Sequence, residues 1–177
     1  MTKILVTYAT FTGSTAGVAE AIAKTLADKG AEVDLLPMRD VKDVSGYDAV
    51  VAGSAIQNSA WLPEASAFVQ QHQAQLATKK FAPFMVCLAL AMKNKKLVET
   101  NRKNIVTWLN TVRNLVPTVD EGYFAGILDI KKIPYLAARI GFQISVWTGV
   151  WAEGDHRDWD AIRAWASNLY PKLTKPV

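Results

Sequence analysis

The hydrophobic positions of this chain alternate between two spacings. Lys3 to Tyr8 (KILVTY) is a short β-branched run ending at a Thr, Gly and Ser cluster, after which Val18, Ile22 and Leu26 recur at helical intervals. That order reads as strand, loop, helix. Gly30 stops the helix, and Ala31 to Leu36 forms a second strand closed by Pro37. Asp48 to Ser54 and Phe81 to Leu90 are nearly all apolar, as in strands buried on both faces. One helix opens at Pro63 and runs to about Leu76, and another runs from about Leu97 to Leu115, with Pro117 preventing its continuation. Glu121 to Leu128 is a fifth strand. The closing helix, Asp158 to Tyr170, carries Trp159, Ile162, Trp165, Ala166 and Leu169 on one side. Regular alternation of strand and helix predicts one α/β domain over residues 1–177, a doubly wound three-layer sandwich around a five-stranded parallel sheet. Lys131 to Gly154 falls outside that rhythm as an extra, partly helical piece rich in Ile, Leu, Phe and Trp.

Composition agrees with a packed domain: 50% of the 177 residues are hydrophobic and 20% charged, which excludes a disordered or fibrous chain. The formal net charge of +4 is unevenly spread. Residues 1–78 hold 5 basic and 8 acidic side chains (net −3), residues 79–113 hold 8 and 1 (net +7), and residues 114–177 hold 7 and 7. The single thiol, Cys87, cannot form an intramolecular disulfide and reads as core, which fits a reducing, cytoplasmic setting. The first residues lack the zones of a signal peptide, so no export is expected. The apolar stretch from Ile140 to Ala152 has 13 residues, short of the ~20 that span a bilayer, so contact with a membrane surface is open and crossing is not.

In open parallel sheets ligands bind beyond the carboxyl ends of the strands, where the loops after Tyr8, Ser54 and Leu90 converge. The first of these, Thr10 to Thr15, has four hydroxyls in six residues and opens a helix, whose N-terminal N–H groups and dipole favour an anion. It suits a phosphate monoester held by neutral donors; the alternative is that the hydroxyls simply cap the helix. There is no GxGxxG, GxxxxGK[ST] or GxSxG, and no carboxylate ends the first or third strand. With only His72 and His156 no metal-spaced set exists, and His72 is expected on an exposed helix face.

The stretch YATFTGST, Tyr8 to Thr15, resembles the flavodoxin signature for FMN phosphate, and GSAIQNSAWLP, Gly53 to Pro63, resembles the second flavodoxin loop. The likeness covers the chain in element order and implies a flavodoxin-like fold with strand order 2-1-3-4-5 and non-covalent FMN. Within that superfamily the basic character, the AIQN loop, the segment after strand five and the DWDAIRAW helix look most like the branch containing menaquinone-dependent protoporphyrinogen oxidase. By this resemblance Thr10, Thr12, Gly13, Ser14 and Thr15 hold the phosphate, and Phe11 in the same loop counts among the cofactor-binding residues. Ser54, Ala55, Ile56, Gln57 and Asn58 line the ring, with Trp61 stacking on it or serving as an apolar staple before Pro63. Leu88, Ala89, Leu90 and Ala91 complete the third loop, which departs from flavodoxins in having neither Tyr nor acid.

Lys93, Lys95 and Lys96 stand either as a rim that stabilises reduced, anionic flavin and favours two-electron exchange, or as a solvated loop. The implied function is an FMN-dependent oxidoreductase of the protoporphyrinogen oxidase type with no catalytic side chain of its own; the alternative is an electron-transfer flavodoxin. A quinone or a redox protein is the expected partner. Nucleic acid is not, because few aromatics interleave the basic run. Lys131 to Trp151 is open to four readings: a lid, a docking surface for quinone, porphyrin or membrane, a helix packed at the sheet edge, or a homo-oligomer interface.

Overall fold

A computed structural model describes residues 1–175. Four parallel pairings build its sheet. β1 (Lys3–Ala9) lies between β2 (Glu32–Pro37) and β3 (Ala49–Gln57), and β5 (Lys80–Cys87) pairs with β3 and with β6 (Gly122–Ala125). The order is β2-β1-β3-β5-β6, as expected once the short β4 (Ala60–Trp61) is set aside. β4 folds back on β3 through Asn58 and Ser59, whose φ values of 52° and 61° suit a tight hairpin of the I′ kind.

Alternate residues of the central strands feed opposite cores, which is why these strands read as continuous apolar runs. Leu5, Val50, Ala52, Phe81 and Met85 pack against α2 (Pro63–Gln71), α3 (Gln73–Leu76), α4 (Lys95–Thr107) and α5 (Asn110–Arg113). Ile4, Val6, Val51, Ala82 and Phe84 pack on the other face against α1 (Ser14–Asp28) and α7 (Trp159–Thr174). Complete burial of each such Ile, Leu or Phe is worth about 1.5–3 kcal/mol. Gly53 is required by this packing, since a Cβ there would lie 1.9 Å from the Phe84 ring.

Several expected boundaries move, each for a local reason. β5 ends at Cys87, because Leu88–Ala91 coil into a 3-10 turn that carries the chain away from the sheet. The expected fifth strand breaks at Gly126. Its second part, β7 (Ile127–Leu128), leaves the parallel sheet and pairs antiparallel with β8 (Gly154–Asp155). A Cβ at Gly126 would sit 3.0 Å from Ser14 Oγ, whose oxygen accepts the Ile127 N–H at 3.0 Å. The helix expected from Leu97 to Leu115 divides after Thr107, whose hydroxyl bonds back to Asn104 O at 2.6 Å. The helix opening at Pro63 breaks at His72, which is buried rather than exposed: its ring packs 4.9 Å from Phe68, with Nδ1 3.3 Å from Gln75 Oε1.

The extra segment contains α6 (Leu136–Trp147) and lies over the carboxyl ends of the strands. Beneath it, Leu128, Ile130 and Ile133 form a small core with Leu88, Ala138, Phe142, Val146 and Trp151. Trp151 Nε1 donates to Leu88 O at 3.0 Å, joining the segment to the turn after β5.

Candidate functional site

A cleft of about 350 Å³ opens where the loops after β1, β3 and β5 meet. Its floor begins at the hydroxyl-rich loop. Gly13 occupies the N-cap position of α1 with φ of 90°, a left-handed conformation that glycine adopts at little cost. Its N–H is held by Thr10 Oγ1 at 3.1 Å. No side chain caps α1, whereas Asn94 and Asp158 cap α4 and α7 through bonds to Leu97 N and Ala161 N. The hydroxyls of this loop are therefore not spent on capping α1, and the first N–H groups of the helix remain without an internal partner. Thr15 sharpens the point: it is completely buried, lines the cleft, and its Oγ1 has no hydrogen-bond partner. A buried hydroxyl left unpaired costs roughly 1–3 kcal/mol, an outlay recovered only when an acceptor or donor enters.

Ten of the residues expected at the site do line this cleft. Thr10, Phe11, Thr12, Ser14 and Thr15 come from the first loop, Ala55, Ile56, Gln57 and Asn58 from the second, and Leu88 from the third. Others lie elsewhere. Ser54 is fully buried behind the loop, where its hydroxyl donates to Ala55 O at 2.7 Å and accepts from Leu62 N at 3.0 Å. Trp61 is buried in the core with Leu62, Ala65 and Phe68 and does not line the cleft. It lies just before α2, in the place of an apolar contact at the helix start. Ala89 and Leu90 pack against the same core, and Ala91 is buried. Lys93, Lys95 and Lys96 are exposed and form no part of the lining.

The rest of the lining comes from positions that loop motifs did not single out. Val86 and Cys87 end β5, Gly126 marks the chain's exit from the sheet, and Ile133, Tyr135, Ala138 and Phe142 form an apolar wall. Through that wall the extra segment borders one side of the cleft. No Lys, Arg, Asp or Glu lines the cleft among the described residues. Burial pushes the Cys87 thiol up to about 11, so it meets the cleft as a neutral group. A cation does stand behind the loop. Arg157, paired through Nη2 with Asp155 at 2.7 Å and stacked on Trp159 at 4.2 Å, reaches Ser14 O at 3.4 Å. It arrives from 143 residues away, and no local signal in the sequence announces it.

The protein is a doubly wound α/β fold with a hydroxyl-rich helix N-terminus in the cleft at the carboxyl end of its sheet, the place where open α/β sheets take their ligands. The model of the flavodoxin domain family matches residues 5–150, and the chain belongs to that family, whose cofactor is FMN. Solved structures agree on the fold. A short-chain flavodoxin associated with a non-canonical PDU bacterial microcompartment is 16% identical with a TM-score of 0.62, covering 98% of this chain and 100% of that one. A flavodoxin from the domain Archaea is likewise 16% identical with a TM-score of 0.61, over 98% and 99% of the two chains. Flavodoxin 2 from Bacillus cereus is 20% identical with a TM-score of 0.54, over 97% of each.

Proposed function

We propose that this protein is an electron-transfer flavoprotein that holds FMN by its phosphate at the start of α1. FMN supplies the electron chemistry, and the chain supplies position and surroundings. The observation that carries this reading is the unpaired, buried Thr15 hydroxyl beside the uncapped first turn of α1. A phosphate monoester offers acceptors for that hydroxyl, for the free N–H groups and for Thr10, Thr12 and Ser14, and the helix dipole favours its charge. Gly13 lets the backbone approach closely. Ala55 to Asn58 and Leu88 then border the ring. A redox protein is the partner that fits a family of electron carriers.

Apoprotein titrated with FMN and with riboflavin tests the assignment. FMN is expected to bind about a hundredfold or more tightly, because riboflavin lacks the group for which the cradle is built. A protein that refuses FMN, or takes both flavins equally, overturns it.

A second reading, a quinone-linked oxidoreductase of the protoporphyrinogen oxidase type, draws support from the wall of Ile133, Tyr135, Ala138 and Phe142. An uncharged, partly aromatic wall suits a flat apolar substrate beside the flavin. Oxidation of protoporphyrinogen with a menaquinone analogue as acceptor decides it: turnover supports the enzyme, and its absence leaves the carrier.

A further inference from the structure

The helix that walls the cleft has a second apolar face. Ala138, Phe142 and Val146 point to the small core, while Leu136, Ile140, Ile144 and Trp147, spaced by four, four and three, stand 53–89% exposed on the other side. At helical spacing these four fall within an arc of about 80°. A continuous apolar row of this size marks a contact surface.

Charge is arranged around the row in a definite way. From Ile130 to Ala152 the chain has Lys131, Lys132 and Arg139 and no carboxylate. Beyond the other end of α6, the Lys93 backbone N–H bonds Val150 O at 3.1 Å, which brings alongside the turn bearing Lys93, Lys95 and Lys96. No carboxylate occurs from Leu88 to Val98 either. Of the adjoining acids, Asp129 pairs with Lys132 at 3.7 Å, Glu153 accepts from Ile130 N at 3.2 Å and Asp155 pairs with Arg157, while Glu99 follows Lys95 and Lys96 on α4, leaving Lys131 and Arg139 at one end of the row and a surplus of lysines at the other. Cations thus flank the apolar row at both ends.

We propose that the outward face of α6 docks this protein onto the surface of an anionic lipid bilayer. The row enters the interface with Trp147 near headgroup level, and the flanking lysines reach the lipid phosphates. At about 18 Å, α6 is far shorter than the ~30 Å hydrocarbon core and lies in the plane. No helix of the described residues is long and apolar enough to cross. A second copy fits less well. An antiparallel pairing of α6 sets Lys131 and Lys132 against Lys93 to Lys96, and a parallel one sets each group against itself, so both repel. One face of a helix about 18 Å long and 10 Å wide also falls well below the ~800 Å² per partner of a stable interface. Docking does not depend on what the cleft holds, yet it brings the cleft to within about a helix diameter of the lipid.

Co-sedimentation of the full chain, loaded with FMN where it binds, with vesicles of phosphatidylcholine alone or mixed with phosphatidylglycerol tests the proposal. The protein is expected to pellet with the anionic vesicles at low salt, to be released by high salt, and to bind neutral vesicles about tenfold less. Ile140→Glu with Ile144→Glu is expected to lower the bound fraction about tenfold or more, and Trp147→Ala to act in the same direction. Unchanged circular dichroism shows that the exposed-face variants remain folded. Protein that stays in the supernatant with anionic vesicles overturns the proposal, as does a glutamate variant that pellets like the parent. A dimer broken by the same glutamates without vesicle binding overturns it in favour of a second copy.

Discussion

At the scale of a single residue, Thr15 is where the proposed phosphate contact is most directly tested. Its hydroxyl is buried and unpaired, so removing it has opposite effects on the empty and loaded protein. Thr15→Val keeps the volume while deleting the orphaned oxygen. Apoprotein of this variant is expected to equal or exceed the parent in denaturant unfolding, while FMN affinity falls about tenfold, the loss of one hydrogen bond to a charged acceptor. A variant that loses apoprotein stability and keeps its affinity would show that the hydroxyl serves packing alone. The four-hydroxyl loop itself is visible in the sequence, because phosphate cradles are built from consecutive residues at a helix start. What the sequence does not disclose is which hydroxyl is left free, since that depends on where Gly126, Ile127 and Arg157 arrive. Trp61 illustrates the converse. A tryptophan in the right loop invites a stacking role, and the hairpin turn at Asn58 and Ser59 instead sends it into the core.

At the scale of elements, the edge strand β6 is tied to α5 by one charged cluster. Arg113 bonds Glu121 through both Nε and Nη2, each at 2.5 Å, and Tyr123 donates to the same carboxylate. Burial opposes the charge on Glu121, but the bonds from Arg113 and Tyr123 outweigh it and hold the carboxyl below its ordinary 4.5. A depressed carboxyl pKa stabilises the fold fully above the ordinary value and is lost as pH falls below it. Glu121→Gln is therefore expected to cost about 1–2 kcal/mol at neutral pH, with the gap to the parent closing in urea titrations as pH drops below 4.5. A gap that stays constant with pH would remove the carboxylate from this account. The main strands were legible from apolar runs, and their order from the flavodoxin resemblance. The breaks at Thr107 and Gly126 were not, because each follows from a contact between distant or back-bonded groups rather than from a local breaker.

Across the whole molecule, folding and ligand binding are coupled through the same cleft. FMN at about a hundred times its dissociation constant is expected to add ~2.7 kcal/mol of stability and raise the melting temperature by roughly 5–10 °C. Scanning calorimetry with FMN and with riboflavin reads this directly, and equal shifts would deny the phosphate its part. The charge asymmetry also gains a location. The lysines after β5 do not line the cleft; they stand beside the end of α6, where they bear on what approaches the molecule. The sequence by itself determined the alternation of strand and helix and the four-hydroxyl loop at the start of α1, because both rest on periodicity and short-range spacing, and it carried the sheet order through its resemblance to flavodoxins. Only the tertiary structure decided which side of α6 faces the cleft and which faces out. It likewise placed Trp61 and Ser54 in buried positions behind the cleft and brought Arg157 to the back of the loop. Those outcomes depend on contacts between residues far apart in the chain, which no spacing along it records.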